Sequence, residues 1–343
     1  VRKFFPIAWM IETLEDPYLV EKPVVARPVV HSLSWLRGIA ALMVCIFHVK
    51  KYIWTSTTPD VFTLAFEQGF LGVYVFFIVS GFVIPFSMYH NNYRIQRFFP
   101  FLLKRLVRIQ PPFIIILVLL FAWTYGLNYF KGWGVQYLFD VKTFFLNITY
   151  LVPFLNGKWV VIIFWTLAIE FQFYILTALI YPLLMKSMEW RYSAFAIGVL
   201  LGHLVPEKYL TIFNNYIYFI IGFQLFLYHI GKIKLNELII SLILSIAYTW
   251  FFEFPAGAIT AINTITLIYA LNISSRIADF FGDISYSLYL SHGLACGATA
   301  IFTIGMNSWL RFGLCMTVGI AFATIYYYSI ERIFLRLSKK VKY

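Results

Sequence analysis

The chain has 343 residues, of which 61% are hydrophobic, 21% aromatic and only 12% charged, with a net charge of +12. Soluble domains carry about 25% charged and about 45–50% apolar residues, so this balance excludes an ordinary soluble globule and fits a polytopic membrane protein. Long apolar runs in place of short alternating strands make it all-α rather than a barrel. Basic residues cluster between those runs, which points to cytoplasmic loops and an anionic substrate or lipid rather than nucleic acid.

Residues 1–32 hold Pro6, Pro17, Pro23 and Pro28 among mixed charges and read as an irregular cytosolic arm. No cleavable leader is evident, so the first apolar run is expected to act as an uncleaved anchor. That run, Leu33–Lys51 (LSWLRGIAALMVCIFHVKK), carries Arg37 and His48. Their spacing is about 20° past three full helical turns, which puts both on one face about 16 Å apart along the axis. A charged side chain near the bilayer centre costs about 2.5–3.5 kcal/mol, so such residues usually face a polar interior. Taken singly, Arg37 snorkelling to the interface and His48 ending a helix beside Lys50 and Lys51 would suffice; the shared face favours a polar cavity. An imidazole there can take a proton from a hydroxyl nucleophile.

A loop, 52–68, leads to a second run, Gly69–Tyr89, whose Gly69, Gly72, Ser80 and Gly81 allow another helix to approach closely. Arg94, Arg97, Lys104, Arg105 and Arg108 follow as the densest basic segment, which fixes that loop, and the amino terminus two spans earlier, as cytoplasmic. Lys104, Arg105 and Arg108 fall on neighbouring helical turns, and guanidinium groups match phosphate oxygens bidentately. They fit a phosphorylated cofactor, while topology and lipid-headgroup contact are the simpler account. Pro111–Pro112 are expected to open a third span, as prolines suit a helix's first turn. Residues 131–158 read as an extracytoplasmic loop with a re-entrant or interfacial piece.

The fourth span, Trp159–Met185, contains Thr166, Glu170 and Tyr174 on one helical face. Glu170 lies mid-membrane, where a carboxylate needs a cation or a proton. Partnership with Arg37 or another buried base and direct catalysis both fit, and each has Glu170 facing the cavity. Later runs fall near 192–206, 209–229, 235–253, 254–273, 284–305 and 308–331. The total is about ten transmembrane helices, with both termini cytoplasmic by loop charge. In the segment ISYSLYLSH, Ser285, Tyr289 and His292 share a face; polar contact between helices accounts for the first two better than for His292. Glu331 ends the last span beside Arg332, as an ordinary terminal ion pair or as a partner for a basic residue at the cytosolic mouth. Cys45, Cys296 and Cys315 sit inside apolar runs without metal-ligand spacing, so core thiols and no metal are expected. The organisation is thus an arm, 1–32, a membrane domain, 33–332, and a basic cytosolic tail, 333–343.

Arg37-x10-His48, GVYVFFIVSGF, Arg105-x-x-Arg108-Ile-x-Pro111, WTLxxE with a following FxFY, and SYSLYLxH occur in this order. Together they resemble the acyltransferase-3 family of integral-membrane O-acyltransferases, over about Leu33 to Arg332. The resemblance implies about ten helices in a bacterial inner (cytoplasmic) membrane and transfer of an acyl group, usually acetyl from acetyl-CoA, to a hydroxyl of a glycan or related acceptor. It implies essential roles for Arg37 and His48 and assigns Arg105 and Arg108, with Lys104 beside them, to the acyl-CoA side. Phe113 departs from the Tyr or Trp that relatives often carry after RIxP. Many relatives add an extracytoplasmic SGNH hydrolase-like domain, so that step is expected to be absent or supplied by a partner protein in trans. His48 would act as general base or acyl relay, and Arg37 would steady the thioester oxygen or the cofactor. Glu170 and His292 would orient groups or relay protons. A proton-coupled transporter or flippase is the main rival, since buried His, Glu and Arg also suit a transport pathway, although no two-fold repeat is visible. A lipid-binding or assembly subunit without catalysis is the second.

Overall fold

The computed structural model describes residues 29–54, 61–131, 140–209, 211–270 and 275–343, and among them the chain forms helices and no β-strand. The cytosolic arm expected over 1–32 lies outside the described residues up to position 28, and the first helix, α1, begins at Val29 (Val29–Ile53). Among the described residues, six helical stretches are long and apolar enough to cross a membrane: Ser32–Ile53, Val61–His90, Ile95–Leu127, Ile162–Lys186, Leu235–Glu253 and Ser308–Lys340. Large apolar side chains such as Ile239, Ile240, Ile243 and Leu244 point outward. Lipid tails are as apolar as leucine, so an apolar exterior carries no penalty there.

The loop expected over 52–68 is helical from Val61. α2 (Val61–Glu67) passes through a tight turn, Gln68–Leu71, into α3 (Gly72–His90), and the Lys50–Glu67 ion pair at 2.5 Å ties it to the end of α1. The third span differs more. α4 runs Phe98–Lys131, so Pro111 and Pro112 lie inside it, and the basic segment belongs to the helix. Pro100 is the proline in its first turn, where a missing N–H is harmless. The inner prolines remove two helical donors. Two nearby carbonyls receive tyrosine hydroxyls from other helices: Tyr286 donates to Ile109 at 2.7 Å and Tyr326 to Pro112 at 2.5 Å.

After α4 comes the short α5 (Val141–Ile148), capped by the Asp140 carboxylate on the Lys142 amide. The segment beyond it turns inward. Tyr150, at φ 59°, donates to Gln110 Oε1 at 2.8 Å, and Gln110 donates to the Ile148 carbonyl. Buried Asn147 bonds the Lys158 carbonyl and the Val160 amide, closing the loop on itself. Irregular backbone among apolar helices requires such internal partners.

The remaining helices are α6 (Trp165–Lys186), α7 (Met188–Leu204), α8 (Tyr216–His229), α9 (Leu235–Tyr248), α10 (Pro255–Ala270), α11 (Arg276–Phe302) and α12 (Ser308–Tyr326). A wide turn, Tyr327–Glu331, joins α12 to α13 (Arg332–Lys340), so the basic tail is helical, and it packs on α4. Helices α11, α1, α3 and α8 pack as successive neighbours. Small residues allow this: a Cβ on Gly72 would strike the Ala40 carbonyl, and one on Gly81 the Phe219 carbonyl. All three cysteines are buried, with Cys45 and Cys296 sulfurs 3.9 Å apart across α1 and α11.

Because backbone rather than a flexible side chain meets the added carbon, Gly81→Ala is expected to cost about 1–3 kcal/mol. The check is a thermal unfolding scan in detergent. An unchanged midpoint would show that α3 and α8 separate freely.

Candidate active site

A cavity of about 80 Å³, room for several waters, is built by α1, α3, α4, α6 and α11. Its polar lining consists of Arg37, Ser80, Arg105, Arg108, Thr166, Glu170, Tyr174, Tyr286 and Tyr289; Val73, Phe76, Phe77 and Leu167 are among its apolar walls. The α4 proline pair follows soon after Arg108 and Ile109, and α6 presents Thr166, Glu170 and Tyr174 as one face. Three guanidinium groups and one carboxylate therefore share an enclosed space within an apolar bundle.

Their partners are unequal. Arg105 is 6% exposed and donates from Nη2 to Ser87 Oγ at 3.1 Å, while its Nε has no partner among the described residues. The guanidinium lies between the rings of Phe101 and Tyr174, 5.3 and 5.8 Å from their centres. Ser87 is in turn hydrogen-bonded to the Tyr343 hydroxyl at 2.8 Å. Glu170 accepts from Tyr174 at 2.5 Å and from Ser80 at 3.3 Å rather than pairing directly with an arginine. Arg37 and Arg108 donate to no protein acceptor among the described residues; they interact with Glu170 and Glu331 only at a distance. A buried cation without a paired anion is costly, and unfilled guanidinium donors around a water-sized space suit an anion or a polarised carbonyl oxygen.

Glu331, expected at the end of a span, is instead 2% exposed in the wide turn after α12. One of its oxygens accepts both the amide of Ser287, at 3.1 Å, and its hydroxyl, at 2.5 Å. Lys104 does not line the cavity; its ammonium lies 4.7 Å from the centre of the Tyr343 ring. A second, single-water space of about 10 Å³ lies among Arg105, Gln110, Tyr150, Glu170 and Tyr174, so the inward loop after α5 reaches the same charged cluster.

The two histidines form a separate group. His48 Nδ1 lies 2.9 Å from the Val44 carbonyl and 3.3 Å from His292 Nε2, while His292 Nδ1 lies 3.0 Å from the Leu288 carbonyl. Carbonyls only accept, which assigns one proton to each Nδ1. The His48 proton lies mainly toward the Val44 carbonyl and is shared at most weakly with His292 Nε2, and in this tautomer His48 Nε2 carries a lone pair that can accept a proton. His292 is fully buried and His48 partly so. Neither lines the arginine cavity. Tyr289 relates the two groups: it lines the cavity, and its ring centre is 6.1 Å from that of His292.

Thus Arg37, Arg105, Arg108 and Glu170 meet in one cavity, His48 and His292 meet beside it, and Lys104 stands outside both. Tyr286, Ser87, Gln110, Tyr150 and Tyr343 were not legible as participants. Tyrosines are abundant in this chain, with 24 of them, so none stands out, and Ser87 and Gln110 lie in apolar runs without a spacing signal. Among the described residues no group of three or more His, Cys, Asp or Glu side chains could hold a metal ion.

Comparison with known proteins bears on this arrangement. The family described as "Acyltransferase domain" matches residues 30–328. "O-acetyltransferase OatA" of Staphylococcus aureus (strain NCTC 8325 / PS 47) is 28% identical over 202 residues, 55% of this chain and 31% of that protein. A protein of Acidianus two-tailed virus, "Putative acetyltransferase ORF330", is 25% identical over 335 residues, 89% of this chain and 92% of its own length. The chain therefore spans about a third of the length of the staphylococcal relatives it matches. No solved structure gives a significant match. With the helical fold and nearly all of the cavity-forming elements inside the matched region, the chain belongs to the acyltransferase family of multi-pass membrane proteins.

Proposed function

We propose that this chain is a membrane O-acetyltransferase that moves an acetyl group from acetyl-CoA to a hydroxyl of a glycan or related acceptor. The observation that carries the reading is the pairing of an anion-ready cavity with a histidine whose Nε2 is free, in a chain of this family. The names of the relatives support O-acetyl transfer as the activity.

The ten-span reading assigns one crossing each to α1, α3, α4 and α6 through α12, with both termini on the cytoplasmic side of the inner membrane. Arg94, Arg97 and the basic residues of α13 support that orientation by their charge. The three arginines then open toward the cytosol, where the donor's phosphates are held by Arg105 and Arg108. The extended pantetheine arm passes Arg37 toward His48, about 16 Å further along α1. Arg37 holds the arm of the cofactor where it passes, as a fixed positive charge beside its carbonyl oxygens.

At the far end His48 Nε2 takes the acceptor's hydroxyl proton while the Val44 carbonyl, with His292 beside it, holds Nδ1 and fixes the ring. The acceptor oxygen bonds to the carbonyl carbon, the carbon–sulfur bond breaks, and the proton passes from His48 to the departing sulfur. The products are an O-acetyl ester and the free thiol. A transiently acylated His48 is the two-step variant, distinguished by capture of an acyl-enzyme when acceptor is withheld. Glu170 keeps the cavity's charge in balance through Tyr174 and Ser80.

The test is thiol release from acetyl-CoA by purified protein in nanodiscs with a panel of glycan acceptors, with mass spectrometry of the product. His48→Ala is expected to lower turnover by about 10²–10⁴-fold, the usual loss of a general base. Turnover retained in that variant would remove His48 from the chemistry. Substrate movement across the membrane without thioester cleavage would favour a transporter instead.

Donor binding gives a separate expectation. A hydrogen bond to a charged group is worth about 1.5–3 kcal/mol, so Arg108→Ala is expected to raise KM for acetyl-CoA by about 10–100-fold, with a smaller change in kcat. An unchanged KM would place the donor elsewhere.

A further inference from the structure

We infer that Tyr289 is the partition between the arginine cavity and the histidine pair, a positioning residue that keeps water from reaching a bound thioester before an acceptor arrives. The inference rests on the functional reading above for its chemistry, but the partition itself is a matter of geometry.

Tyr289 is 5% exposed, and its ring faces both compartments, lining the cavity on one side and approaching the His292 ring on the other. Phe76, also a cavity wall, packs edge-on against it with ring centres 5.5 Å apart. The hydroxyl is pinned. It lies 2.5 Å from Thr166 Oγ1 and 3.1 Å from the Ile163 carbonyl, while Thr166 donates to that same carbonyl at 3.0 Å. Each hydroxyl has one proton, so one of the two donates to the other and the second donates to the Ile163 carbonyl. Ile163 belongs to the tight turn Ile162–Phe164 that begins α6. Val161, just before it, lies against Gly293, next to His292. One short turn therefore holds the tyrosine from the cavity side and borders the histidine from the other.

An acyl group in the cavity and a base outside it cannot react while that ring is between them. Opening requires release of one tyrosine hydroxyl from a turn rather than motion of a packed helix. The need for such a barrier follows from the chemistry. A histidine with a free Nε2 activates water as readily as a sugar hydroxyl. Water oxygen would then bond to the carbonyl carbon, the carbon–sulfur bond would break, and the proton would pass through His48 to sulfur, leaving a free acid and a thiol. Exclusion of water is how an active site suppresses this loss. Interhelical contact alone would explain the hydroxyl's partners but not the ring's place on the boundary of both groups.

Two measurements test the inference. Purified protein in nanodiscs is given acetyl-CoA alone, and thiol release is followed for Tyr289 protein and for Tyr289→Leu and Tyr289→Phe. The leucine variant, which keeps an apolar side chain but not the ring, is expected to raise acceptor-independent hydrolysis by at least about tenfold. The phenylalanine variant, which loses one hydrogen bond, is expected to raise it only a few-fold. Hydrolysis that falls or stays unchanged in the leucine variant overturns the inference, since loss of packing lowers activity but does not create a water path.

The second measurement needs no turnover. Ser80→Cys places a thiol on the cavity wall, while the native cysteines are buried. In sealed vesicles a membrane-impermeant thiol reagent applied from the histidine end is expected to spare Ser80→Cys protein and to label the Ser80→Cys, Tyr289→Leu double variant. Equal labelling overturns the partition whatever the activity. Protection relieved by Tyr289→Leu without any acetyl-CoA cleavage would keep the partition and discard the acyltransfer reading.

Discussion

The cost of holding cations in an apolar medium governs this structure. Arg37, Arg105 and Arg108 occupy three turns of two helices that otherwise carry leucine, isoleucine and phenylalanine. Each must have water, an anion or a π face within reach. Arg105 has the rings of Phe101 and Tyr174 together with Ser87, while Arg37 and Arg108 have the cavity. Glu170 and Glu331 are bonded to hydroxyls and an amide and close no direct pair with these arginines. Full pairing would have produced a buried ionic core with no capacity for a ligand. The incomplete pairing leaves donors available, and the helices are arranged to keep that space open.

The all-α architecture and most of the helix-bearing segments were legible in the sequence because apolar run length and loop charge report directly on them. So was the convergence of Arg37 with Glu170, since an intramembrane charge on a helix face has few places to point. Helix α4 was misread at Pro111–Pro112 because proline rules describe isolated helices. Here Tyr286 and Tyr326, far along the chain, brace the turn that holds the prolines by donating to the carbonyls of Ile109 and Pro112. Local rules cannot see donors that arrive from α11 and α12. The start of α3 was misplaced for a related reason: α2 and the tight turn after it are short pieces whose helicity depends on contact with α1.

The site was legible in its charges and not in its hydroxyls. His48 and His292 stood out as rare residues on apolar faces, yet no spacing argument brings positions so far apart in the chain to 3.3 Å. Tyr150, Gln110 and Ser87 carried no signal at all, because they act through hydrogen bonds made by tertiary packing. The roles of Lys104 and Arg105, neighbours in sequence, diverge for a simple geometric reason. Successive residues of a helix point about 100° apart, so one reaches the cavity and the other the tail.

The proline pair in α4 also divides one long rod into two levers. The segment before it carries Arg105 and Arg108, and the segment after it runs on to Lys131. Tyr286 and Tyr326 grip the joint from two different helices, and Tyr286 also lines the cavity. A change in bend angle at that joint would move both arginines as one body while the outer lever stayed fixed in the bundle. The same two hydroxyls would register the change in α11, which carries His292, and in α12, which leads to Glu331. The charged end and the elements that lead to the histidine end thus meet at a single turn of α4, through two tyrosine hydrogen bonds.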